Sequence, residues 1–145
     1  MKHLGIALIL SAGLILSGCG SKSSNNNING NWTASLTNPD NSPAFAFTTS
    51  LQSSGSVVSG TNLTFTTSSA CFASGATETG SFNLSGNFNG NVTGSFGLTI
   101  QSGTPAGNTL TLNGAVKSNT VVGTWTLSGT TAGCTGSGTF TMNKS

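Results

Sequence analysis

The chain has 145 residues, enough for one domain and short of two. It carries four Lys, two acidic residues and no Arg, against 23 Ser, 23 Thr, 21 Gly and 16 Asn. No internal run reaches the ~18 apolar residues of a spanning helix. Eight Phe and two Trp in ordered alternation argue against a disordered chain. Lys22, Lys117 and Lys144 are too scattered to neutralise phosphates, so nucleic acid is excluded as a partner.

The chain opens on a short basic stretch, Met1-Lys2-His3, and an apolar run from Leu4 to Leu16. That run is too short to cross a bilayer and has the length of a secretory apolar region. Leu16-Ser17-Gly18-Cys19 follows and resembles, at all four positions, the lipobox of bacterial lipoproteins. The resemblance implies a signal peptide over residues 1–18, cleaved before Cys19. It implies a diacylglyceryl thioether on Cys19, acylation of the new amino terminus by a chain such as palmitate, and attachment to the cell envelope membrane. Two or three acyl chains make such an anchor durable where one does not. Gly20, rather than Asp, favours the outer membrane in a bacterium that has two. Residues 19–29 then read as the lipidated Cys and a polar tether, GSKSSNNNIN, with almost no core-forming residue. As a coil its ten residues reach ~17 Å.

From Gly30 to Ser145 the pattern has period two, which predicts a single all-β domain. Trp32, Ala34 and Leu36 share one face; so do Phe45, Phe47 and Leu51, then Leu63 and Phe65. From Phe82 to Ile100 the apolar residues and Gly86, Gly90 and Gly94 all occupy even positions. Leu110 with Leu112, then Val121, Trp125 and Leu127, then Phe140 with Met142, complete the set. Turn signals fall between them at Asn38-Pro39-Asp40-Asn41, Ser54-Gly55, Asn89-Gly90, Gly103 to Gly107 and Lys117-Ser118-Asn119. The spacing predicts eight to ten antiparallel strands in a meander. With almost no charge to blunt its edges, such a sheet is best closed. Asn31–Thr37 and Thr139–Lys144 would pair to close an up-and-down barrel, a β-sandwich being the alternative. The glycines at even positions would leave room inside.

Gly30-Asn31-Trp32-Thr33 and Gly123-Thr124-Trp125-Thr126 share G-x-W-T. The motif resembles the first-strand signature of lipocalins and avidin-like barrels, which implies a Trp plugging a barrel end. The chain departs from lipocalins in lacking their Tyr-bearing motif, their late Arg and their C-terminal helix. Trp32 and Trp125 are the candidate ligand-binding residues on this reading.

With Cys19 lipidated, Cys71 and Cys134 form an even pair in an exported chain, which predicts a disulfide between two loops. The mature chain has no His, and its carboxylates are Asp40 and Glu78 alone. No nucleophile, metal or cofactor motif emerges: the lysines lack S-x-x-K spacing, and there is no C-x-x-C. Two functions are expected from different classes. The first is a non-enzymatic envelope lipoprotein with a structural role or an envelope-protein partner. The second is a barrel that binds a small hydrophobic ligand or a glycan. A filled interior favours the first and a hollow one the second.

Overall fold

The computed structural model describes residues 27–54, 57–67, 69–73, 75, 77–87, 92–101 and 107–145; Cys19 and residues 1–26 lie outside these. The alternation resolves into β1 (Gly30–Thr37), β2 (Pro43–Ser54), β3 (Val57–Phe65) and β4 (Thr77–Asn87). It continues through β5 (Thr93–Gln101), β6 (Thr109–Lys117), β7 (Thr120–Ser128) and β8 (Gly136–Lys144). Each strand pairs antiparallel with the next, and β8 returns to β1 from Trp32↔Lys144 to Thr37↔Thr139. The sheet is therefore a closed eight-stranded up-and-down barrel, and closure removes the free edges that an uncharged sheet could not protect.

Most apolar side chains point into the lumen and most hydroxyl side chains point out, Thr49 on β2 being a buried exception. On β1, Trp32, Ala34 and Leu36 are buried between exposed Asn31, Thr33 and Ser35. On β2 and β3 the register slips between Thr48↔Thr64 and Ser50↔Thr61. The bulge changes which parity faces inward, so Val58 on one side and Leu63 and Phe65 on the other are all buried.

Of the even-position glycines, Gly86 and Gly94 pair with each other where β4 and β5 approach too closely for a side chain, and Gly90 lies outside the described residues. The interior is filled at another glycine pair, on β6 and β7. Phe96 on β5 pairs with Gly114 on β6, Gly114 with Gly123 on β7, and Gly123 with Phe140 on β8. The two phenylalanines meet with ring centroids 6.1 Å apart. A Cβ at Gly114 would strike the Val122 carbonyl, and one at Gly123 the Asn113 carbonyl. The glycines let β6 and β7 approach and bend, and the flanking rings take the volume. Trp32, Phe47, Phe65, Ile100, Leu110, Leu112 and Met142 are each fully buried around them.

The seam between β3 and β4 is the shortest, paired at Leu63↔Glu78 and Thr64↔Thr77. Beyond those pairs Phe82 of β4 lies directly against the Cα of Gly60 on β3, where any side chain on residue 60 would collide with its ring. An aromatic ring thus covers a stretch that hydrogen bonds do not.

The N-terminal boundary differs from the sequence expectation. Residues 27–29, placed in the tether, belong to the barrel. Ile28 is completely buried, and its carbonyl accepts a 2.8 Å hydrogen bond from the Trp32 indole Nε1. Lys144 Nζ donates to the Asn27 carbonyl at 2.8 Å. The Asn29 side-chain oxygen accepts from the Ser53 amide at 2.7 Å and from its hydroxyl at 2.8 Å. One apolar residue in a polar run is enough, because the lumen above Trp32 needs a plug.

Candidate functional site: the disulfide-closed end

The barrel has two ends. The N-terminal end holds the start of β1, the 118–119 turn and the close of β8. The opposite end gathers the β1–β2, β3–β4, β5–β6 and β7–β8 connections, and both loop cysteines fall there. Cys71 and Cys134 are joined, with Cα atoms 5.5 Å apart.

Local hydrogen bonding positions Cys71. The Ser69 hydroxyl accepts from the amides of Cys71 at 3.2 Å and Phe72 at 3.0 Å, and the Ser69 amide donates to the Phe72 carbonyl at 3.0 Å. This serine turn aims Phe72 into the barrel mouth. There it is fully buried, stacked on Phe65 at 4.4 Å and edge-on to Phe45 at 5.7 Å. Phe72 is the stopper of this end. The sequence signal was an isolated aromatic directly after a loop cysteine, and it went unread.

Asn108 was also missed. It closes the β5–β6 connection, is buried, and donates from Nδ2 to the Cys71 carbonyl at 3.2 Å. Its Oδ1 is buried, finds no hydrogen-bond partner among the described residues, and abuts Gly129, where a Cβ would collide with it. Asn108 thus lies between the strand end that leads to Cys134 and the loop that carries Cys71.

Trp125 stands at this end and Trp32 at the other, so the two candidate ligand residues are not brought together. The Trp125 indole Nε1 donates to the Thr37 carbonyl at 2.9 Å, across the β8 position of Gly138. A Cβ on residue 138 would meet that same carbonyl and come within 2.7 Å of the indole nitrogen. Only glycine leaves this path open. Phe45 packs edge-on against the indole at 5.7 Å.

A cleft of about 290 Å³ lies between the β1–β2 turn and the two disulfide loops, with Asn38, Ser69 and Thr135 on its rim and Trp125, Phe45 and Leu127 beneath. Its apolar floor is nearly covered: Phe45 is 9 % exposed, Leu127 6 % and Trp125 2 %. A second cleft of about 310 Å³ lies between β1 and β2 beside Thr48, Thr49 and Ser145, but Trp32 presents no surface to it. The carboxylates occupy separate elements. Asp40, in the exposed β1–β2 turn, accepts from the Ser42 hydroxyl at 2.6 Å and the Ser42 amide at 2.9 Å, bonds that hold its pKa below the usual carboxylate value. Glu78 lies opposite Leu63 at the start of β4. Among the described residues no cluster of three metal-ligating side chains occurs. No protein-family profile, curated protein or solved structure matches this chain.

Proposed function

We propose that the chain is an exported, lipid-anchored cell-envelope lipoprotein, held by Cys19, that acts through its surface as a non-enzymatic structural or protein-contact module. The lipobox-like Leu16-Ser17-Gly18-Cys19 supports the anchor, and Gly20 supports the outer membrane of a two-membrane host. The observation that carries the non-carrier role is the Phe96–Gly114–Gly123–Phe140 row, where the space left by two glycines is occupied by two rings. Phe72 and Ile28 stopper the two ends. Growth of the host on labelled palmitate tests the anchor: label on the wild type and none on Cys19→Ala is expected, and label on both overturns it.

The cleft beside Trp125 favours a second reading, a small amphipathic ligand or glycan gripped at the mouth rather than in the lumen. Native mass spectrometry of protein from its own envelope separates the two. The mass of the acylated chain and nothing more accords with the surface role. A reproducible extra mass, lost when Trp125 is changed to Ala, would replace it with the binding role.

A further inference from the structure

The few charges of this barrel are sorted by end. Lys117 closes β6 and Lys144 closes β8, both at the N-terminal end. Asp40 lies in the β1–β2 turn and Glu78 is the second residue of β4, both at the disulfide end. These four are all the Lys, Asp and Glu residues of the described barrel, and its length of about 25 Å separates the two signs. Lys117 is exposed on the rim. Lys144 reaches over Gly30 to the Asn27 carbonyl, so its ammonium sits where the chain enters the barrel.

The exposed large apolar side chains fall toward the same end. Val57, at the first position of β3, is 66 % exposed, and Val122, the third residue of β7, is 52 % exposed. Cations beside isolated apolar side chains are what an anionic lipid interface accommodates. The connecting sequence also leads there: seven residues, Lys22 among them, separate Cys19 from Asn27. A carboxylate on Ser145, whose amide donates to the Asn31 carbonyl at this rim, would offset one positive charge, and Lys22 would restore it.

We propose that the end carrying Lys117 and Lys144 docks on an anionic lipid surface, so that the anchored barrel stands with its disulfide-closed end and Trp125 cleft facing outward. This rests on Cys19 being the anchored residue. Each lysine near such a surface favours docking about fivefold, enough to orient a domain already confined by its tether.

The two tryptophans report the orientation, one at each end and about 16 Å apart along the barrel. The chain from Cys19 to Ser145 retains every described element. With Cys71 and Cys134 bonded, Cys19 is its free thiol and couples to a maleimide-headgroup phospholipid. In nanodiscs doped with a gadolinium-headgroup lipid, relaxation of the Trp32 and Trp125 indole protons is compared. The tether alone biases Trp32 toward the bilayer, so phosphatidylcholine discs set the baseline. On phosphatidylglycerol discs the Trp32-to-Trp125 ratio is expected to rise at least threefold. It should return to baseline in 1 M salt, where the screening length is about 3 Å, and fall toward baseline in Lys117→Gln. Equal ratios on the two lipids, stronger relaxation of Trp125, or no response to Lys117→Gln would overturn the docking. Because the anchor here is chemical, failure of palmitate labelling in cells would leave this result standing and refute the anchor alone.

Discussion

The two ends of the barrel solve one problem by different means. Each leaves a lumen of apolar rings that water would enter. At the disulfide end a loop folds inward, Phe72 drops onto Phe65, and a covalent bond fixes the stopper to the opposite loop. At the N-terminal end the stopper is Ile28 on the incoming chain, held by its own burial and by hydrogen bonds of the Trp32 indole, Lys144 and Asn29, with no covalent cross-link among the described residues. The first closure is internal to the domain. The second is made by the segment that leads toward Cys19.

Breaking the covalent stopper should have the larger effect. The Cys71–Cys134 bond spans 63 residues of sequence, and the chain-entropy model assigns such a loop about 4 kcal/mol. The double Cys71→Ala, Cys134→Ala variant should lose up to that amount in urea unfolding. Loosening should begin in residues 66–75, read as faster hydrogen exchange there than in β6 and β7. Uniform acceleration over all eight strands would mean that Phe72 is held by packing and not by the bond.

Ile28→Ala tests the other stopper. Truncating a fully buried Ile costs about 3 kcal/mol when the site cannot collapse. A loss of that size is expected, with exchange quickening at Trp32 and Lys144 and not near Cys71. A loss below about 0.5 kcal/mol would return residues 27–29 to the tether.

These two closures also mark how far sequence reading reached. Alternation and turn residues made the eight strands and the β1–β8 closure legible, because burial on one face writes a period of two. The disulfide is legible from the even pair of cysteines that remains once Cys19 is set aside. Both stoppers are illegible for one reason: Ile28 is a single apolar residue in a polar run, and Phe72 lies in the four-residue loop run Ala70-Cys71-Phe72-Ala73, and neither stretch has a period. What they plug exists only once distant strands have met. Sequence shows only that a glycine lacks a side chain; that the Phe96 and Phe140 rings fill the space over Gly114 and Gly123 depends on which strands pair. The parity change at the β2–β3 bulge is likewise a property of pairing, invisible in either strand alone.

The indoles sharpen the comparison at finer scale. Trp32→Phe leaves the Ile28 carbonyl inside a sealed end, whereas Trp125→Phe leaves the Thr37 carbonyl beside an open cleft where water can replace the indole. An unsatisfied buried acceptor costs about 1–3 kcal/mol. The Trp32 variant should therefore be less stable than the Trp125 variant by about 1 kcal/mol, measured as the difference in urea midpoints at equal slope. Equal midpoints would show that water reaches both ends alike.

The smallest expected difference between the ends depends on pH. Asp40 accepts two hydrogen bonds from Ser42, which hold its folded pKa below the ordinary carboxylate value. A carboxyl whose pKa is lower folded than unfolded contributes stability above the unfolded value. That contribution disappears as pH falls through the folded value. Asp40 is fully exposed, so the effect is confined to its turn. Relative to the intrinsic exchange rate, acid should lower the protection of the Asn41 and Ser42 amides while that of the Val116 and Val121 amides, paired on β6 and β7 at the other end, is unchanged. In Asp40→Ala the Ser42 amide should be poorly protected at neutral pH and change little in protection on acidification. If acid lowers protection at both ends together in the wild type, the opening is global, and the turn is not a separate acid-sensitive element of the disulfide end.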